Sequence, residues 1–154
     1  MATVRFPQYP DYQSAVQHPA LAFRQDSDLR GCRVEMNVTG PYSRGGGFAY
    51  TYRLEGAGKQ WAVRCFKALP DEARQQSICR FIETHPQPFF VPTYYLPQGV
   101  LVNGRLYPVI KMQWVQGQTL GTYVDQNVNN ATLLHKLLTR FVQLVSTLEG
   151  LGIA

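Results

Sequence analysis

Cysteine is scarce in this chain. Cys32, Cys65 and Cys79 are odd in number and far apart, which argues against a disulfide framework. Histidine is equally sparse: His18, His85 and His135 are scattered, so they suggest neither a zinc site nor a catalytic triad. No stretch approaches the ~18 consecutive apolar residues that a membrane span needs, and Met1-Ala-Thr-Val-Arg-Phe-Pro7 does not resemble a signal peptide. These absences point to a cytoplasmic protein with free thiols and no membrane partner. Carboxylates also thin out: after Asp125 the only one carried by a side chain is Glu149.

Aromatic residues are plentiful, with nine Tyr, eight Phe and two Trp among 154 residues, and 45% of the chain is apolar. That content supports one globular core with strands in it rather than disorder. The net charge of +5 comes mostly from arginine. A basic chain invites a nucleic-acid reading, but the arginines run evenly from Arg5 to Arg140 without a cluster or a basic helix face. A solvated basic surface is the simpler account, and nucleic acid is not the expected partner.

Residues 1–30 form a leader in which Pro7, Pro10 and Pro19 alternate with Phe6, Tyr9, Tyr12 and Phe23. The prolines forbid a long helix and favour extended chain. The aromatics make a free tail costly, so the leader is expected to lie against the body. From Cys32 to Val38 apolar and polar residues alternate, which marks a half-buried strand. A loop over Gly40–Gly47 precedes a second strand, Phe48 to Leu54, and a third, Gln60 to Lys67. A helix is expected from Asp71 to Thr84, started by Asp71 or Pro70 and carrying Ile78, Phe81 and Ile82. Strands follow over Phe89–Leu96 and Leu106–Val115, with a short extra strand at Val100–Val102 and a tight turn at Asn103-Gly104. Two helices close the chain, one near Leu120–Gln126 and one from Leu133 to about Glu149. The longer one has apolar positions at Leu134, Leu137, Leu138, Phe141, Val142, Val145 and Leu148.

Four strings in this order carry a family resemblance. Ser43-Arg-Gly-Gly-Gly-Phe-Ala-Tyr-Thr-Tyr52 resembles the glycine loop and following strand of protein kinases. Trp61-Ala-Val-Arg-Cys-Phe-Lys67 is similar to their third strand, and Met112-Gln-Trp-Val-Gln-Gly-Gln-Thr-Leu120 to their hinge. Leu148-Glu-Gly-Leu-Gly-Ile-Ala154 looks like the end of the helix that leads into the catalytic loop. The resemblance, to the serine/threonine type, covers residues 31–154. It implies an α+β fold: a kinase-like N-lobe of five antiparallel strands with one packed helix (residues 31–117), then two helices that begin a C-lobe (residues 118–154).

The resemblance also implies a nucleotide site. Gly45, Gly46 and Gly47 would let backbone N–H groups reach phosphate, and Phe48 would cap the loop, although Ala49 stands where the family has a third glycine. Ala62 would lie on adenine, and Met112, Gln113 and Val115 would form the hinge. Arg64 occupies the lysine position of the family; it is permanently charged and can bind phosphate as a fork. The alternative for the glycines is a ligand-free hairpin loop, and for Arg64 a solvent-facing strand residue. Lys67 is expected on the opposite face. The family's helix glutamate falls near Gln75 or Gln76, neither of them charged, with Glu72 and Glu83 a turn or two away. The catalytic carboxylate and the magnesium ligands would follow the long helix, so catalytic residues are expected to be lacking, magnesium is not expected, and ATP binding is expected to be weak. On this reading the chain is a truncated kinase-like protein whose 133–149 helix awaits the missing lobe or a protein partner. The alternatives are a non-catalytic interaction module on the same scaffold and a basic nucleic-acid-binding domain.

Overall fold

In the computed structural model, which describes residues 5–153, the leader is helical. Short helices span Tyr9–Val16 (α1), Pro19–Ala22 (α2) and Ser27–Arg30 (α3). The expectation of extended chain fails because Pro10 and Pro19 fall in the first helical turn, where no backbone N–H is required. Asp26 caps α3 by accepting the Leu29 N–H at 2.9 Å. Tyr12, Val16, Phe23 and Leu29 are all fully buried. The leader therefore supplies a layer of the core.

The alternating segment after Cys32 does not make one strand. It divides into Arg33–Val34 (β1), which pairs with Leu54 and Glu55, and Met36–Asn37 (β2), which turns back on Gly40–Pro41 (β3). Asn37 Oδ1 accepts both the Thr39 N–H and its hydroxyl at 2.9 Å, closing that small turn. Met36 and Val38 are exposed in consequence. Ser43–Gly45 (β4) then rejoins the sheet opposite Tyr50–Tyr52, so most of the expected 40–47 loop is paired.

Ala49–Gly56 (β5) and Lys59–Phe66 (β6) form a hairpin with full pairing from Ala49↔Phe66 to Gly56↔Lys59. Glu72–Thr84 (α4) begins at Asp71, whose Oδ1 accepts the Arg74 N–H at 3.0 Å. Thr93–Val102 (β7) absorbs the expected extra strand through a bulge between Leu96 and Val100, and pairs with Arg105–Gln113 (β8). Gly99 lies in that bulge, where a Cβ would come within 2.4 Å of the Val109 side chain. The turn at Asn103-Gly104 has positive φ at both residues, 48° and 78°. Phe89–Val91, expected in a strand, precede β7 because Pro92 cannot donate to a ladder.

The result is α+β. The main sheet has six strands rather than five, in the order β1–β5–β6–β8–β7 with β4 also on β5, and its pairings are antiparallel. Successive side chains point to opposite faces of the sheet. Tyr52, Val63 and Lys111 therefore share the face that the leader covers, while Arg53, Ala62, Arg64 and Met112 share the other, on the side of α4.

Two compact units divide the chain after Val115. In the second, Thr119 caps Leu120–Gln126 (α5) and Asn130 caps Ala131–Gly150 (α6). No residue of α6 is buried, and Leu138, Phe141 and Val142 are exposed. Among the described residues, no helix is long and apolar enough to cross a membrane.

Candidate functional site

The glycine segment is shorter as a loop than it reads in sequence. Gly45 belongs to β4 and faces Tyr50 across the ladder. Gly46 donates to Ala49 O at 3.2 Å, and its own carbonyl accepts from Lys67 Nζ at 2.6 Å. The Lys67 N–H donates to Phe48 O at 3.0 Å, tying the turn to the end of β6. Among the described residues the N–H groups of Gly47 and Phe48 have no hydrogen-bond partner. Of the three glycines, Gly47 alone combines an open backbone donor with a place in the cavity below.

That cavity, of about 370 Å³, lies between the glycine turn, the end of β6 and the start of α4. Gly47, Phe48, Arg64, Lys67, Asp71 and Gln75 line it. Arg64 enters from mid-strand, opposite Thr51 on β5 and Ile110 on β8, and is half-buried. Among the described residues no carboxylate lies within ion-pairing distance of its guanidinium. The acid that lines the cavity, Asp71, is held as the cap of α4. Gln75 is the helix residue that meets Arg64 across this space, whereas Gln76 is not among the lining residues. Glu72 sits beside Tyr95; burial, and then this carboxylate, push the Tyr95 phenol up to about 12. Glu83 lies at the far end of α4, where it lines a depression with Pro86 and Phe90.

Lys67 meets its expectation in part. Its ammonium does follow strand parity to the extent that it lies 4.4 Å from the Tyr50 ring centre, on the leader side. Yet β6 ends at Phe66, so parity no longer binds the next residue, and Lys67 also lines the cavity. The Ala68-Leu69-Pro70 sequence that follows signals this strand end.

Other expected site residues are less closely gathered. Ala62 pairs directly with Met112, and both lie on the Arg64 face. Gln113 pairs with Trp61 and therefore takes the opposite face from Ala62 and Met112. Its N–H donates to Pro92 O at 3.0 Å, and the Trp114 N–H to Gln60 O at 2.9 Å, so two backbone donors of this segment serve the sheet. Val115 is exposed. A contact absent from the sequence reading fixes the segment: the Trp114 ring lies 4.6 Å from the Arg44 guanidinium and 5.3 Å from that of Arg53. Arg44 is also paired with Glu35 at 2.9 Å. These two arginines are thus committed to partners, unlike Arg64.

The arrangement offers an unpaired guanidinium and two open backbone N–H groups around one concave space, with the Lys67 ammonium beside the glycine turn on the leader side, a donor set suited to phosphate oxygens. Among the described residues no group of three or more His, Cys, Asp or Glu is placed to hold a metal. Compared with protein-family models, with curated proteins and with solved structures, the chain matches none.

Proposed function

We propose that this chain is a protein-kinase-like N-lobe followed by two helices, and that it binds the phosphates of a nucleotide. One observation carries the reading: Arg64, which has no ion-pair partner among the described residues, shares a cavity with the open N–H groups of Gly47 and Phe48. Support also comes from the succession β4, glycine turn, β5, β6, α4, β7, β8, which follows the order of the strings that carry the resemblance. Ala62 and Met112, side by side on the same face as Arg64, are positioned to meet a base. Gln75 in place of a carboxylate leaves Arg64 uncompensated by α4, so its charge is available to a ligand. Gln113 and Trp114, whose N–H groups are engaged in the sheet, leave base recognition to few donors. Weak affinity follows.

The test is a thermal-shift titration with ATP. The wild-type chain is expected to be stabilised by a few degrees at millimolar ATP, with Arg64→Ala abolishing the shift. An unshifted wild type would defeat the nucleotide reading. The alternative, an interaction module on the same scaffold, draws on the exposed Leu138, Phe141 and Val142 of α6 and requires no ATP response.

A further inference from the structure

The charges around the cavity do not match a metal-bound nucleotide. Arg64 and Lys67 supply two cations, and Asp71 is the one carboxylate that lines the space. Its Oδ1 is occupied by the Arg74 N–H at 3.0 Å, in the capping position of α4. The next acid along the helix, Glu72, stands beside Tyr95 and is not among the lining residues. Magnesium on a nucleotide is usually held by one or two carboxylates together with the phosphates, in strict octahedral geometry. Here such an ion would meet the Arg64 guanidinium, with the Lys67 ammonium beside the glycine turn, and Asp71, already engaged through one oxygen as the cap of α4, as the lining carboxylate; the like charges oppose it.

We infer that the cavity takes a polyphosphate as the free anion, with Arg64 and Lys67 replacing the metal as its counter-charge. This rests on the nucleotide reading and specifies the form of its ligand. Arg64 provides a planar fork for two phosphate oxygens. Lys67 is a point charge on a flexible stem; its ammonium, now 2.6 Å from Gly46 O, lies at the edge of the turn whose Gly47 and Phe48 N–H groups are open. One ammonium therefore steadies the turn and adds to the positive field above it. Free ATP carries two more negative charges than its magnesium complex, so these groups favour the free form.

Isothermal titration of the 154-residue chain with ATP, in EDTA and in excess magnesium chloride, tests this directly. Binding is expected to be about tenfold tighter in EDTA, the size that follows from two extra charges at a partly solvated site. In Lys67→Met that ratio is expected to fall by a factor of about three while binding persists. Inorganic tripolyphosphate in EDTA is expected to bind comparably to ATP, because the contacts are to phosphate. Equal or tighter binding with magnesium overturns the inference and leaves the nucleotide reading standing. ATP binding without tripolyphosphate binding also overturns it, since affinity would then reside in the base. No heat with ATP under either condition removes the nucleotide reading and the inference together.

Discussion

Lys111 and Arg64 sit on neighbouring strands of one sheet, with Val63 opposite the first and Ile110 opposite the second, and their side chains leave on opposite faces. Lys111 is 6% exposed and fully engaged. Its ammonium meets Asp26 at 2.7 Å and Asp28 at 3.2 Å, and lies 4.6 Å from the Trp61 ring centre and 5.2 Å from that of Tyr94. Arg64 has no such partners among the described residues. A buried charge with fixed counter-ions holds a fold together, whereas a half-buried charge without them is available to something else. The leader makes the difference, because Asp26 and Asp28 flank the start of α3 and cover only one face.

The most severe way to break this comparison is to remove the engaged cation. Lys111→Met leaves Asp26 buried without a counter-charge and is expected to cost about 3 kcal/mol in urea denaturation. Adding Asp26→Asn should recover part of that loss; an additive double variant would show that the pair is not coupled. Arg64→Ala, by contrast, should leave the denaturation midpoint within about 0.5 kcal/mol of wild type, since its effect belongs to ligand binding.

A somewhat smaller effect is expected from Gly56→Ala. A Cβ at that position would lie 2.8 Å from Gly31 O and 2.9 Å from the Cys32 Cα, so backbone would have to move where the leader enters the sheet. About 2 kcal/mol of destabilisation should follow. An unchanged midpoint would mean that the leader can shift without consequence.

The smallest and most specific effect concerns pH. Hydrogen bonds from Lys59 and then Lys111 hold the Asp28 carboxyl below its ordinary value of 3.8. A depressed folded-state value means that the stabilisation is present above about pH 4 and is lost as pH falls through the folded value. Asp28→Asn should therefore flatten the acid limb of the stability profile while leaving its Arg64-dependent ligand response intact. An acid limb identical to wild type would mean that the ion pairs of Asp28 with Lys59 and Lys111 do not contribute to it.

Much of the architecture was legible from local chemistry. Asp71 caps the helix that the sequence expects after Pro70, and the Asn103-Gly104 turn has the backbone that its residues favour. The hairpin of β5 and β6 corresponds to the strands expected over Phe48–Leu54 and Gln60–Lys67. The errors came where neighbours in space compete with pattern. Cys32–Val38 alternates like one strand, but its register on β5 covers Arg33 and Val34, the Glu35 N–H adds one bond to Arg53 O, and the Asn37 turn sends Met36 and Val38 into solvent. The leader prolines read as breakers, yet Pro10 and Pro19 fall in helical first turns. Strand parity places the Lys67 ammonium on the leader side, but β6 ends one residue before it, so the residue also lines the cavity.

Sequence by itself determined the α+β succession and the caps and turns, because these depend on residue chemistry and short spacings, while Arg64, Gly47, Ala62 and Met112 became candidates through the resemblance of their strings to those of protein kinases. Tertiary structure alone decided which cations are spent and which are open. Ion pairs such as Lys111 with Asp26 join residues far apart in the chain, and no local pattern records which distant carboxylate a folded sheet will bring to a given side chain.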